Sequence, residues 1–147
     1  MEYLLVTIAV LILIGSISIA IPSKASRKIS RIRMDAKLLG CKISSNLYGE
    51  NKFKNSSEFS VSYSIKNHTN LKEAHFIRDK TELILYSPVK LKYSDSFKDL
   101  KKALQKISVS LEEIIFTNAS ISFLWRELEG IEELKKIIKN FDELKKF

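Results

Sequence analysis

Two histidines, one cysteine and a few paired carboxylates are the side chains from which this 147-residue chain could build a reactive site. His68 and His75 lie seven residues apart, one in an expected loop and the other on an expected strand. That spacing matches no metal site, and both read as surface or structural histidines. Cys41 follows Gly40 at the start of an expected strand, with no base nearby in sequence, so it reads as a small buried or half-buried thiol. As the single cysteine it cannot form an intrachain disulfide. The pairs Glu112-Glu113 and Glu132-Glu133 fall in the first turns of expected helices, where the helix dipole favours carboxylates. The four glycines form no GxGxxG or GxxxxGK[ST] loop, and the chain holds neither HExxH nor GxSxG. No catalytic, cofactor or metal residue is therefore assigned, no small-molecule substrate is indicated, and an enzyme is not expected.

Charge carries more information. The net charge is +8, but nine basic and two acidic residues fall between Lys24 and Lys54, whereas Asn55 to Phe147 holds sixteen basic and fourteen acidic residues. A nucleic-acid module would carry its excess on the folded domain, with aromatics interleaved among the cations. Here the aromatics alternate with serines, and no nucleic-acid partner is expected. The cations Lys24, Arg27, Lys28, Arg31 and Arg33 are instead candidates for fixing membrane topology and for meeting anionic headgroups. Trp125 on an alternating strand reads as core, and becomes a candidate partner contact only if exposed.

These cations follow an apolar run. Tyr3 to Ile21 is nineteen residues without a charge, about 28 Å as a helix and so close to a hydrocarbon thickness of about 30 Å. A secretory signal would have a basic start and a shorter apolar core, whereas this chain begins Met1-Glu2-Tyr3, so an uncleaved anchor is expected. Pro22 should break the helix, Ser23 can cap the next one, and Gly40 can end it in a left-handed conformation. Ala25, Ile29, Ile32, Ala36 and Leu39 form one apolar stripe. It could pack on the chain's own domain, and its heptad-like spacing could also serve a short parallel self-association.

Beyond Gly40 the patterning predicts an α+β domain: about four mostly antiparallel strands covered on one face by helices. Strands are expected at Cys41–Tyr48, Glu58–Lys66, Glu73–Arg78, Thr81–Tyr86 and Ser120–Arg126, with a polar turn region at Gly49–Ser57. Phe97, Leu100, Leu104 and Ile107 share one helix face. Ser110 with Glu113 matches a capping box, which predicts a short helix at Leu111–Thr117. A last amphipathic helix is expected from Gly130 to Lys146, and Arg126-Glu127 reads as a solvated strand end. The resulting division is 1–22 transmembrane anchor, 23–40 basic amphipathic juxtamembrane helix and 41–147 small α+β domain.

The order of span, Pro22-Ser23, Arg27, Arg31, Arg33, Ala36 and Gly40, with Trp125-Arg126-Glu127 before a last helix, resembles a group of small uncharacterised single-span inner-membrane proteins of Gram-negative bacteria. The resemblance implies topology and compartment and brings no activity. Positive charge stays inside, so the N-terminus is expected outside and the domain in the cytoplasm. The Asn-x-Ser/Thr matches at Asn55, Asn67 and Asn118 would then be silent. The expected role is a membrane-anchored interaction or scaffold module with an unidentified protein partner. Alternatives are a surface protein that binds anionic lipid, and an enzyme whose site has no recognisable motif.

Overall fold

The computed structural model describes residues 1–45, 53–55 and 58–147. Helix α1, Glu2–Ala20, has no buried residue, and it is long and apolar enough to cross a membrane. Its hydroxyls bond inside the helix: Thr7 Oγ1 donates to the Tyr3 carbonyl at 2.7 Å, Ser16 Oγ to Ile12 at 2.8 Å and Ser18 Oγ to Ile14 at 2.9 Å. A medium without water demands that of every polar group. Helix α2, Lys24–Leu38, starts on Ser23, whose side chain accepts from the Ser26 N–H at 3.1 Å. It ends at Gly40, where φ is +91°. The Cys41 N–H reaches the Ala36 carbonyl and the Gly40 N–H reaches that of Lys37, both at 3.1 Å. That pair of bonds is a Schellman motif, whose left-handed residue is normally glycine.

The domain is α+β, as its patterning predicts, but with six strands rather than about four. They are β1 Lys42–Ser45, β2 Val61–Lys66, β3 Ala74–Asp79, β4 Glu82–Ser87, β5 Leu111–Phe116 and β6 Ser120–Trp125. All pairings are antiparallel, in the order β1-β2-β6-β5-β3-β4. Helices α3, Phe97–Gln105, and α4, Ile131–Glu143, complete the described elements with short 3-10 turns. Residues 46–48 of the first expected strand, and residues 49–52 and 56–57 of the polar turn region, lie outside the described residues.

The largest correction is β5. Leu111 to Thr117 is expected to be a helix and is instead the central strand that joins the two halves of the sheet. The capping-box pattern is real but unused. The β-branched and aromatic run Ile114-Ile115-Phe116 suits a pleated surface, and Thr117 turns the chain directly into β6, its N–H donating to the Ser120 carbonyl at 2.9 Å. An irregularity between Leu111 and Glu113 lets Leu111, Ile114 and Phe116 all be buried.

One face of the sheet carries Tyr63, Phe76, Leu85, Ile114, Phe116, Phe123 and Trp125 into the core. The helices answer with Leu100 and Leu104 from α3, Leu134, Ile137 and Phe141 from α4, and Ile32 and Ala36 from α2. The juxtamembrane stripe thus packs on the chain's own domain at its middle, while Ala25 and Leu39 stay exposed. Cys41 is also buried, and burial pushes its thiol up to about 11. Helices α2 and α3 contact opposite ends of the sheet, α2 by β1 and α3 by β4.

Candidate functional site

Three polar constellations stand out, and the first lies where α2 meets the sheet. Glu127 is in the 3-10 turn Glu127–Glu129 that follows β6. Its Oε2 and Oε1 accept from Arg33 Nε and Nη2 at 2.7 and 2.8 Å, a two-pronged guanidinium–carboxylate pair. The Tyr63 hydroxyl donates to the same Oε2 at 2.8 Å. The hydrogen bond to Glu127 raises the Arg33 pKa further. Burial, and then the bond to Glu127, hold the Tyr63 phenol well above its usual range. Next to this clamp Lys28 Nζ donates to the Leu128 carbonyl at 2.9 Å. Arg33, expected among the headgroup and topology cations, is therefore spent on the domain, and Glu127 is not a solvated strand end.

The second constellation is a groove of about 480 Å³ between α2 and the start of α4. Lys24, Arg27, Lys28 and Arg31 line it, with Asp35 as their acidic neighbour and Gly130 and Ile131 opposite. Among the described residues Lys24, Arg27 and Arg31 join no salt bridge, and all three are exposed. Gly130, at φ +99°, offers α4 no side-chain cap. Four of the five cations singled out in the sequence thus share one concave surface, immediately after the span.

The third constellation is on the sheet face away from the helices. Glu113 is fully buried and its Oε1 meets His75 Nε2. Glu113 also accepts the backbone N–H groups of Lys54 at 2.8 Å and Asn55 at 2.9 Å. Burial alone would raise this carboxyl, but His75 and the two amides outweigh it and hold the pKa below the usual carboxylate range. The Tyr86 and His75 rings meet at a tilt of 60°, their centroids 5.0 Å apart, and Lys54 Nζ lies 5.0 Å over Tyr86. A histidine–carboxylate pair is half of a nucleophile-activating triad. Here the carboxylate pins the 53–55 segment to the sheet. No cluster of three metal-ligating side chains occurs among the described residues.

Trp125 is 1% exposed and meets Tyr63 edge to face at 5.5 Å. The exposure that would make it a partner contact is not met. Glu132-Glu133 do begin α4, where Ser108 Oγ donates to Glu133. His68 joins none of the three constellations. The partners of Glu113 and Glu127 lie 38 or more residues away in the chain, so no local spacing announces them.

No family model matches the chain, and no curated protein and no solved structure matches it significantly.

Both carboxylates give measurable expectations. Arg33→Ala should cost about 2 kcal/mol of domain stability, since hydrogen bonds to charged groups contribute about 1.5–3 kcal/mol and this pair is partly screened by solvent. Combined with Glu127→Gln it should show a coupling of about 1 kcal/mol in a double-mutant cycle, followed by the fluorescence of the single tryptophan. Additivity would mean that the pair does not clamp α2. Glu113→Gln should cost about 2 kcal/mol at pH 7, because one acceptor for a buried amide is lost. With its folded pKa depressed, Glu113 contributes fully above its unfolded value of about 4.3, and the contribution is lost as pH falls through the folded value. The gap between wild type and Glu113→Gln in urea unfolding should accordingly narrow below about pH 4.5. A gap that widens on acidification would contradict the assignment.

Proposed function

We propose that this chain is a single-pass protein of the bacterial inner membrane, with its N-terminus outside and its α+β domain in the cytoplasm, acting as an interaction or scaffold module of a membrane assembly. The observation that carries this reading is the Arg33–Glu127–Tyr63 clamp. A helix that only tethered a domain would need no seat in its core. Here the helix that follows the apolar span is capped, buried through Ile32 and Ala36, and locked to the sheet by a bidentate ion pair. Such coupling is useful when the domain must present one face at a defined height above a bilayer. The excess of cations after the span supports the inward orientation, and the span, Pro22-Ser23 and basic helix are the residues on which the resemblance to the inner-membrane group rests.

Reporter fusions test the topology. A carboxy-terminal alkaline phosphatase fusion should be inactive and a fluorescent-protein fusion bright; the reverse result overturns the orientation. Purification in mild detergent at native expression level should bring a stoichiometric partner, and recovery of the chain alone would overturn the assembly role.

The basic groove favours a second reading, in which the same face meets anionic headgroups. Each cation near such a surface contributes about 1 kcal/mol. The full chain in anionic nanodiscs should then melt higher than in zwitterionic ones, and the difference should shrink with salt and vanish in an Arg27→Gln, Arg31→Gln variant. Equal melting in both lipids would remove this reading.

A further inference from the structure

The sheet has two edges, and they are built differently. β1, at the α2 end, reads Lys42-Ile43-Ser44-Ser45 over the described residues. It carries a lysine, one of the devices by which natural edge strands avoid new pairing. β4, at the other end, is six residues long and reads Glu82-Leu83-Ile84-Leu85-Tyr86-Ser87. It contains no lysine or proline, and among the described residues it pairs with β3 alone. Alternate residues of an edge strand turn their N–H and C=O groups outward, away from the neighbour they already have. Ile84 is 45% exposed and Tyr86 50%, and the following turn adds Val89 at 62% and Tyr93 at 82%.

Beside this edge runs a groove of about 220 Å³ between β4 and α3. Phe76, Leu85 and Leu104 floor it, and its charged lining is Lys92 and Lys101 with Glu82 as the one carboxylate. The volume is below the roughly 300–1,000 Å³ of small-molecule sites. It suits one apolar side chain presented by a backbone already held alongside. Neither rim lysine has a salt-bridge partner among the described residues.

We infer that β4 and the α3 groove form a strand-addition site for an extended acidic segment of another protein. The segment pairs its backbone with β4 as a seventh strand. One apolar side chain drops to the core face and into the groove. Side chains two positions before and after it lie on the same face, and acids there meet Lys92 and Lys101. Main-chain bonds supply affinity and the groove supplies selectivity, the usual division of labour in β-augmentation. The rim's two lysines against one carboxylate argue against a second copy of this chain as occupant. A twofold pairing of β4 with itself would bring two sets of rim lysines to the same face of the joint sheet. The inference rests on the interaction-module reading and gives that module its contact surface. Five strand spacings of about 4.8 Å put this edge about 24 Å across the sheet from β1 and the α2 end.

The test uses the full chain in native membranes, with Ile84 replaced by the photo-cross-linker p-benzoylphenylalanine. The expected product is an adduct with a different protein. Its cross-linked segment, mapped by mass spectrometry, should carry Asp or Glu two positions either side of an apolar residue. Adduct yield should fall about tenfold in a Lys92→Glu, Lys101→Glu variant, and likewise for the unreversed chain when salt rises to about 0.5 M. Melting of the reversed chain should be unchanged, since both lysines are at the surface. An adduct between two copies, no adduct, or a segment without acids overturns the inference, as does a yield indifferent to charge reversal and salt. If a partner still copurifies in mild detergent under any of those results, the module reading stands and only the β4 site falls. If nothing copurifies, the module reading falls first.

Discussion

Glu127 gathers three hydrogen bonds from two distant parts of the chain, and the placement of the domain depends on it. Arg33 comes from the helix that follows the apolar span and Tyr63 from the second strand of the sheet. Arg33 exposes about a third of its side chain and Glu127 less than a sixth. At that depth a carboxylate without its guanidinium would be costly, and a guanidinium without its carboxylate would turn outward to water. The pair therefore fixes direction as much as it adds stability: α2 can sit in one register on the sheet. Ala36, fully buried, enforces the same register from the apolar side, because a larger side chain there would lift the helix off.

Much of this architecture is legible in the sequence. The apolar span, the break at Pro22, the Ser23 cap and the Gly40 stop are local signals, and local signals are where sequence reading is strongest. The same holds for Val61 to Lys66, whose alternation of aromatic or β-branched residues with serine marks a half-buried strand. β5 was illegible for a physical reason. Ser110 and Glu113 satisfy a capping box, and the bulge at Glu112 breaks the period-two pattern that would have marked a strand. Tertiary pairing on both sides of β5 outweighs a helix start worth about 1 kcal/mol.

The candidate site divides along the same line. The clustering of Lys24, Arg27, Lys28 and Arg31 can be read from helical spacing, because i, i+3 and i+4 positions share a face. Arg33 belongs to the same stretch of sequence but to another side of the helix, and nothing local says that its partner lies 94 residues on. Glu113 is hidden in the same way. Its partners come from the 53–55 segment and from β3, so its burial is visible only once the sheet is assembled.

The two partnered carboxylates, Glu113 buried and Glu127 half-buried, also do different jobs. Glu113 collects two backbone amides and a histidine on the sheet face opposite the helices, and the consequence is a fixed segment on that face. Glu127 collects side chains on the helix-covered side, and the consequence is a fixed helix. A sheet stapled on both faces has little freedom left in its centre, where β6 and β5 are flanked on both sides by other strands. What remains unconstrained lies at its margins: the cations beside α2 at one end and the uncovered backbone of β4 at the other. Under the interaction role proposed above, those margins are where a partner is expected to bind.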